Sequence, residues 1–251
     1  FVLFEDHLPK FANKITVHNS FLKQRYKDLG IDEKKLIYLP NGIETERFSN
    51  ISKSKISKLK SKFKLNNKKV ILYFGSFSLR TGHAIDLLLK SFIRVKKNIK
   101  NSVLLLVGGG EDIDLLKKYA SELKLNSVIF TGRIDKDEIP YYIKLSNVTV
   151  EPVYDTLANQ ARSPLKIFES MAIGVPVVTG DVGDRRLITE NGKAGILVKP
   201  GDDKELADGI IKILLNKRLA RGISKESFRI IKNYRWDKLV NILTKSIASI
   251  A

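Results

Sequence analysis

No cysteine occurs in this 251-residue chain, which excludes disulfides, thiolate zinc sites and cysteine nucleophiles together. That agrees with a reducing compartment. Histidine is almost as scarce: His7, His18 and His83 are scattered and show no metal-ligand spacing. No apolar run approaches the roughly 18 residues that a membrane-spanning helix needs. The opening FVLFEDHLPKF has too short an apolar run, interrupted by acids, to serve as a signal peptide. Phe1 stands where an initiator Met would, so a piece of a longer protein is expected. Acids are also in short supply, with 27 Asp and Glu against 45 Lys and Arg, a formal net charge of +18. Such an excess reads either as solvated lysine faces or as a surface for an anionic partner. The aromatics do not interleave with the basic residues as a base-stacking platform requires. An anionic membrane surface is therefore the favoured partner and nucleic acid an unfavoured one.

What is present is a 43% hydrophobic chain, enough for a sizeable core. Six short apolar runs recur from residue 70: VILYFG, VLLLVG, VIFTG, VTVEPV, VPVVTG and GILV. Helical patterns lie between most of them. Ile85, Leu88, Leu89, Phe92 and Val95 form one stripe, and Ile113, Leu116, Tyr119, Ala120 and Leu123 another. Continuous apolar strands alternating with amphipathic helices predict a parallel sheet covered on both faces, an α/β Rossmann-like domain over 70–217. Before it, KITVH, a helix capped by Asn19 and ended by Gly30, and LIYLP make a second β-α-β fragment within 1–48, too small for a domain of its own. The intervening 49–69 is rich in Lys and Ser and reads as a linker with a basic helix. Helical stretches fill 218–251, the second starting near Arg235-Trp236.

The stretch SPLKIFESMAIGVPVV, residues 163–178, places a Lys and a Glu in an apolar helix. Ser163 as N-cap and Pro164 as first helical residue would start that helix. The N–H groups of Leu165 and Lys166 would then point out of its N-terminus, and with the Lys166 ammonium would suit a phosphate. Glu169 could accept hydrogen bonds from sugar hydroxyls near that phosphate. The alternative is a capped core helix with a Lys–Glu pair at i,i+3. A second candidate is FGSFSLRTGH, residues 74–83, after the first strand of the domain. Gly75 and Gly82 permit close backbone approach and Arg80 can hold a phosphate, although a plain βα turn has the same ingredients. Gly108-Gly109-Gly110 follows the second strand, and FTGRI with Arg133 follows the third. All lie at the C-terminal ends of strands, where one ligand can touch them all.

The order of these pieces resembles the glycogen-synthase-like superfamily of retaining GT-B glycosyltransferases (family 4-like) over nearly the whole chain. Asn41-Gly42-Ile43-Glu44 is similar to its Asn-Gly-Val-Asp element, and Glu169 with MAIGVPVV resembles the second Glu of its Glu-x7-Glu motif. The resemblance implies that 1–48 closes an acceptor domain, that 70–217 binds a nucleotide diphosphate-sugar donor, and that 218–251 returns toward the acceptor domain. It implies a hexosyltransferase acting on a glycan or lipid-linked acceptor, with no metal and no cofactor. The site residues implied are Arg80 and Lys166 on the leaving diphosphate. Gly75, Ser76, Gly82, Gly109, Arg133, Ser163, Pro164, Leu165 and Glu169 would surround the donor nucleotide. A cytoplasmic location, peripheral on the inner face of the membrane, is expected. The chain departs from the pattern at three places. The first Glu of the motif falls at Ala161, the Arg of Gly-Arg-Leu at Ser76, and the Lys before the second Gly at Thr81. These departures keep a non-catalytic nucleotide-sugar-binding protein in view. A GT-B-fold nucleotide-sugar epimerase is a further alternative.

Overall fold

The computed structural model describes residues 7–248; the first six residues of the N-terminal stretch read above lie outside it. A parallel pair, β1 (Ile15–Val17) with β2 (Leu36–Tyr38), precedes a six-stranded sheet. That sheet comprises β3 (Lys69–Ser76), β4 (Ser102–Gly109), β5 (Val128–Phe130), β6 (Val148–Glu151), β7 (Val177–Gly180) and β8 (Gly195–Val198). The strands are all parallel and run in the order β5-β4-β3-β6-β7-β8. Counted from β3, this is the 3-2-1-4-5-6 order of a doubly wound dinucleotide-type sheet, and its direction reverses between β3 and β6.

Strand alternation explains why the apolar runs are unbroken. Ile71 and Tyr73 enter one core with the helices Ile85–Asn98, Ile113–Glu122 and Asp203–Leu215, while Val70, Leu72 and Phe74 enter another with Ile139–Leu145 and Leu165–Ile173. Both faces are covered, so both sets of side chains leave water.

The small β1–β2 unit holds the helix Ser20–Asp28, whose first turn is capped by Asn19 accepting from the Leu22 amide at 2.8 Å. The chain leaves this unit, builds the sheet domain and returns. The helix Lys217–Ile230 packs on the sheet domain, and Trp236–Ala248 begins where Trp236 lies against Gly42, so close that a Cβ there would sit 2.4 Å from its ring. Ile43 bridges to Arg235, and its amide bonds the Tyr234 carbonyl at 2.8 Å.

Residues 49–69 hold the basic helix expected there, but the structure corrects its reading as part of a linker, because the helix is packed on the sheet domain. Lys53–Lys62 is a helix capped by Ser52, and Ile56, Leu59 and Phe63 pack against the core shared with 139–145 and 165–173. Three apolar side chains at helical spacing dock it on the sheet domain, and its lysines face outward.

Candidate functional site

The reversal of strand order leaves a crevice beyond the C-terminal ends of β3 and β6, and the helix Leu165–Ile173 points its N-terminus into it. The helix starts one residue later than expected. Pro164 is the N-cap, with an extended backbone (φ −78°, ψ 111°) and no side-chain cap bond. Ser163 is not the cap, a correction to the sequence reading. Its hydroxyl is buried without a hydrogen-bond partner and lines the cavity. The helix ends where Gly174 takes a left-handed conformation (φ 73°), which stops the turn and feeds β7.

Gly75, at the end of β3, has φ 139°, a backbone that favours glycine. A Cβ there would lie 2.6 Å from Lys166 Cε and 2.9 Å from Nζ. Glycine is required because the Lys166 side chain crosses the end of the strand at that point. Its ammonium lies 5.5 Å from the centre of the Tyr73 ring. Tyr73 is itself fixed by donating its hydroxyl hydrogen to the Ser76 carbonyl at 2.7 Å.

Lys166 and Glu169 both line an open cavity of about 420 Å³, together with Gly75, Ser163, Pro164 and Leu165. Both are half-buried, and neither forms an ion pair among the described residues. The i,i+3 pair of the alternative reading is therefore not made. Burial lowers the Lys166 ammonium from its ordinary value, with Glu151 and Glu169 opposing and Arg162 adding to the effect. Burial raises the Glu169 carboxyl, and Arg47 and Lys166 offset part of that. The N–H groups of Leu165 and Lys166 have no carbonyl partner in the preceding loop. Free donors, an unpaired cation and an unpartnered hydroxyl therefore converge on one opening, with a carboxylate one turn deeper.

Not every expected residue is brought here. Ser76, the last residue of β3, and Arg80, on the turn after it, are exposed, and the Arg80 charge acts on Glu111. Arg133 is exposed, and a Cβ on Gly109 would meet its Cγ at 3.0 Å. A Cβ on Gly82 would meet the Asn159 amide at 3.1 Å. In place of Arg80 the cavity holds Arg162, which sequence reading passed over, and its guanidinium donates to the Thr81 carbonyl. The cation beside Thr81 thus comes from the loop after β6.

Sequence reading also missed the buried ionic pair behind the site. Glu151 ends β6, and Arg185 lies on the short helix Arg185–Ile188. The guanidinium donates to both carboxylate oxygens, at 2.8 and 2.7 Å, and to the carbonyls of Asn159 (3.0 Å) and Val182 (2.9 Å). Thr179 donates to the same carboxylate. Burial pushes the Glu151 carboxyl up, but the Arg185 charge and these hydrogen bonds outweigh it and hold the group below its ordinary value. The one available signal was an acid inside the apolar run VTVEPV. His83 is held down to about 4 by burial, with Lys166 and Arg162 adding to the effect. Among the described residues no cluster of three His, Asp or Glu could hold a metal ion.

Comparison with known proteins gives a family match over residues 55–230, to Glycosyl transferases group 1. An uncharacterized glycosyltransferase, MJ1069, of Methanocaldococcus jannaschii is 27% identical over 92% of this chain and 57% of its own length. A GDP-mannose-dependent alpha-(1-6)-phosphatidylinositol monomannoside mannosyltransferase of Mycobacterium tuberculosis is 25% identical over 90% of this chain and 59% of its own. Among solved structures, Anabaena Alr3699/HepE in complex with UDP and glucose superposes with a TM-score of 0.80 at 21% identity, covering 96% of this chain and 64% of that one. The chain spans somewhat under three fifths of the length of these two curated relatives.

Proposed function

The chain belongs to the group 1 glycosyl transferases, and from that premise we propose that the whole protein moves a hexosyl group from a nucleoside diphosphate sugar to a hydroxyl of a glycan or lipid-linked acceptor, with retention. The observation that carries this reading is the convergence at one cavity of the 165–173 helix N-terminus, the unpaired Lys166, the unpartnered Ser163 hydroxyl and Glu169. A diphosphate satisfies the free N–H groups and the ammonium together, and ribose hydroxyls reach the Glu169 carboxylate one turn away.

In the step proposed, the bond between the sugar's anomeric carbon and the diphosphate oxygen breaks while the acceptor oxygen bonds the same face of that carbon. The acceptor proton passes to the leaving diphosphate. Lys166, Arg162 and the helix N-terminus stabilise the charge that builds on that leaving group. The step calls for no nucleophile from the chain and no metal. Residues 1–48 then belong to the acceptor domain, 70–217 to the donor domain and 218–251 to the helices that return between them.

No helix among the described residues is long and apolar enough to cross a membrane. The outward lysines of the 53–62 helix support a peripheral site on an anionic membrane surface at the cytoplasmic face, with the acceptor held nearby.

A second reading, a non-catalytic nucleotide-sugar-binding protein, is favoured by one observation. Ala161 has only a methyl group where the resemblance calls for the carboxylate that contacts the donor sugar. Calorimetric titration of this chain with UDP, GDP and ADP tests the site; a folded chain that binds none at millimolar concentration sinks it. Donor hydrolysis or transfer by the longer protein separates enzyme from binder, and efficient transfer by the 251-residue chain alone would contradict the need for a second domain.

A further inference from the structure

The anion site lies in the sheet domain, yet the loop that shapes it is held from outside that domain. Ala161 and Ser163 form the last turn of chain before the 165–173 helix. The Ala161 carbonyl accepts from His18 Nε2 at 3.1 Å and from Asn19 Nδ2. The Ser163 carbonyl accepts from Asn41 Nδ2 at 2.9 Å. Beside them, the buried Asp184 carboxylate accepts from the Ser20 amide at 2.9 Å, from the Ser20 hydroxyl and from the Tyr38 hydroxyl at 2.8 Å. Every one of these donors belongs to the β1–β2 unit.

Asn19 has both ends of its amide committed. Its oxygen caps the 20–28 helix and its nitrogen reaches across to Ala161, and the residue is fully buried. The Ala161 carbonyl that it holds and the Ser163 carbonyl that Asn41 holds bracket Arg162 and stand just before Pro164, whose extended backbone leads into the helix N-terminus. A shift of either carbonyl would move Pro164 and with it the free N–H groups of Leu165 and Lys166.

We propose that Asn19 and Asn41 are positioning residues for the anion site: the β1–β2 unit fixes the 161–163 loop, so that diphosphate affinity depends on that unit being seated. The proposal rests on the reading of the cavity as a nucleotide diphosphate site. Asn19 lies outside the cavity lining and acts through the Ala161 carbonyl alone; Asn41 borders the cavity as well as holding the Ser163 carbonyl, so its variant must carry no charge.

The test uses Asn19→Ser and Asn41→Leu in the full chain. Serine is as good an N-cap as asparagine, so Asn19→Ser keeps the helix start, adds no charge and removes only the donor that reaches the Ala161 carbonyl. The expected result is a fall of about fivefold or more in affinity for whichever of UDP, GDP and ADP the parent binds, the scale of one lost hydrogen bond. Amide exchange at 161–166 in the ligand-free chain should rise at the same time. A merely structural role would shift the melting temperature and leave the ratio of variant to parent affinity near one under conditions where both are folded. Unchanged affinity with unchanged exchange overturns the positioning role. If Asn19→Ser fails to fold, Asn41→Leu decides alone, because Asn41 is half-buried, caps no helix and the change adds no charge to the cavity. A parent chain that binds none of the three nucleotides overturns the cavity reading, and a service to that ligand falls with it; the exchange measurement then shows whether the loop is clamped at all.

Discussion

Replacing Arg185 by Met should unfold this protein at a markedly lower temperature, although Met is more apolar and the site is fully buried. Arg185 is 0% and Glu151 5% exposed, so the variant leaves a carboxylate with no counter-charge in contact. It also frees the Asn159 and Val182 carbonyls from their shared donor. Removing one partner of a buried pair costs about 3–5 kcal/mol. For a chain of this length 1 kcal/mol moves Tm by roughly 2–4 °C, so the drop should be about 6–20 °C. The double variant Glu151→Leu, Arg185→Met removes both charges. It should recover most of the loss but not exceed the parent, because the Asn159 and Val182 carbonyls keep only their long amide bonds at 3.4 Å and the buried Thr179 hydroxyl stays unsatisfied at about 1–3 kcal/mol. Differential scanning calorimetry at pH 7 reads all three proteins. Acid supplies a second check. Arg185 holds the folded Glu151 below its unfolded value of about 4.3, so the pair's contribution is present above that pH and is lost as pH falls through the folded value. In the single variant the orphaned carboxyl is instead raised, and protonation relieves it. The gap between parent and variant should therefore narrow from pH 7 to pH 4. A single variant melting within about 2 °C of the parent at pH 7, or a gap that stays constant with pH, would refute the reasoning.

Lys166→Met should weaken diphosphate binding roughly 10- to 150-fold, the range for a hydrogen bond to a charged group, without lowering Tm, because the ammonium has no ion-pair partner among the described residues to lose; equal affinity for parent and variant would remove Lys166 from the site. Because burial raises Glu169 and its ionised form is the one that accepts from ribose, nucleotide affinity should increase with pH through a midpoint above the ordinary carboxylate range, and Glu169→Gln should flatten that profile; a flat profile in the parent contradicts the assignment. His83 titrates at about 4 when folded against an ordinary value of about 6.5, so the unfolded chain binds more protons between those values and stability should fall as pH drops through that window. Urea titrations should show a smaller loss for His83→Gln than for the parent, and identical losses would count against it. Reversal of Lys53, Lys58 and Lys60 to Glu should abolish co-sedimentation with anionic vesicles at low salt and leave nucleotide affinity alone; equal partitioning of the parent to neutral and anionic vesicles would favour simple solvation of the lysines.

The sheet was legible because its central strands are apolar runs buried on both faces, a pattern that needs no partner to be recognised. The helices of 85–98 and 113–122 announced themselves through stripes that the structure buries or half-buries. The helix at 165 was visible, but its first residue was not. Local preference puts Ser163 at the cap and Pro164 in the first turn, whereas the carbonyls on either side of Arg162 are pinned by Asn19 and Asn41, more than a hundred residues earlier. The basic helix within 49–69 was legible, but its docking was not, because its lysines dominate the composition and only Ile56, Leu59 and Phe63 record its packing. Glu151 and Arg185 lie 34 residues apart on separate elements, and no local periodicity links them. Arg162 and Arg80 look alike in sequence, since both are arginines in glycine- or serine-rich turns; only the fold of the 152–164 loop decides which one faces the crevice.

The packing of Trp236 on Gly42, with the Ile43–Arg235 bridge beside it, means that the peptide chain passes between the β1–β2 unit and the sheet domain twice. A single tether would let one body swivel about the other in every direction. Two crossings side by side behave as a hinge pin, permitting rotation chiefly about the line that joins them. The donors on His18, Asn19 and Asn41 then approach their carbonyls along an arc rather than by a free search. The local concentration of one face at the other stays high even when the bonds are broken. Hydrogen bonds that would each be too weak to hold two free molecules together can therefore serve as a latch that opens and reseats many times without losing its register.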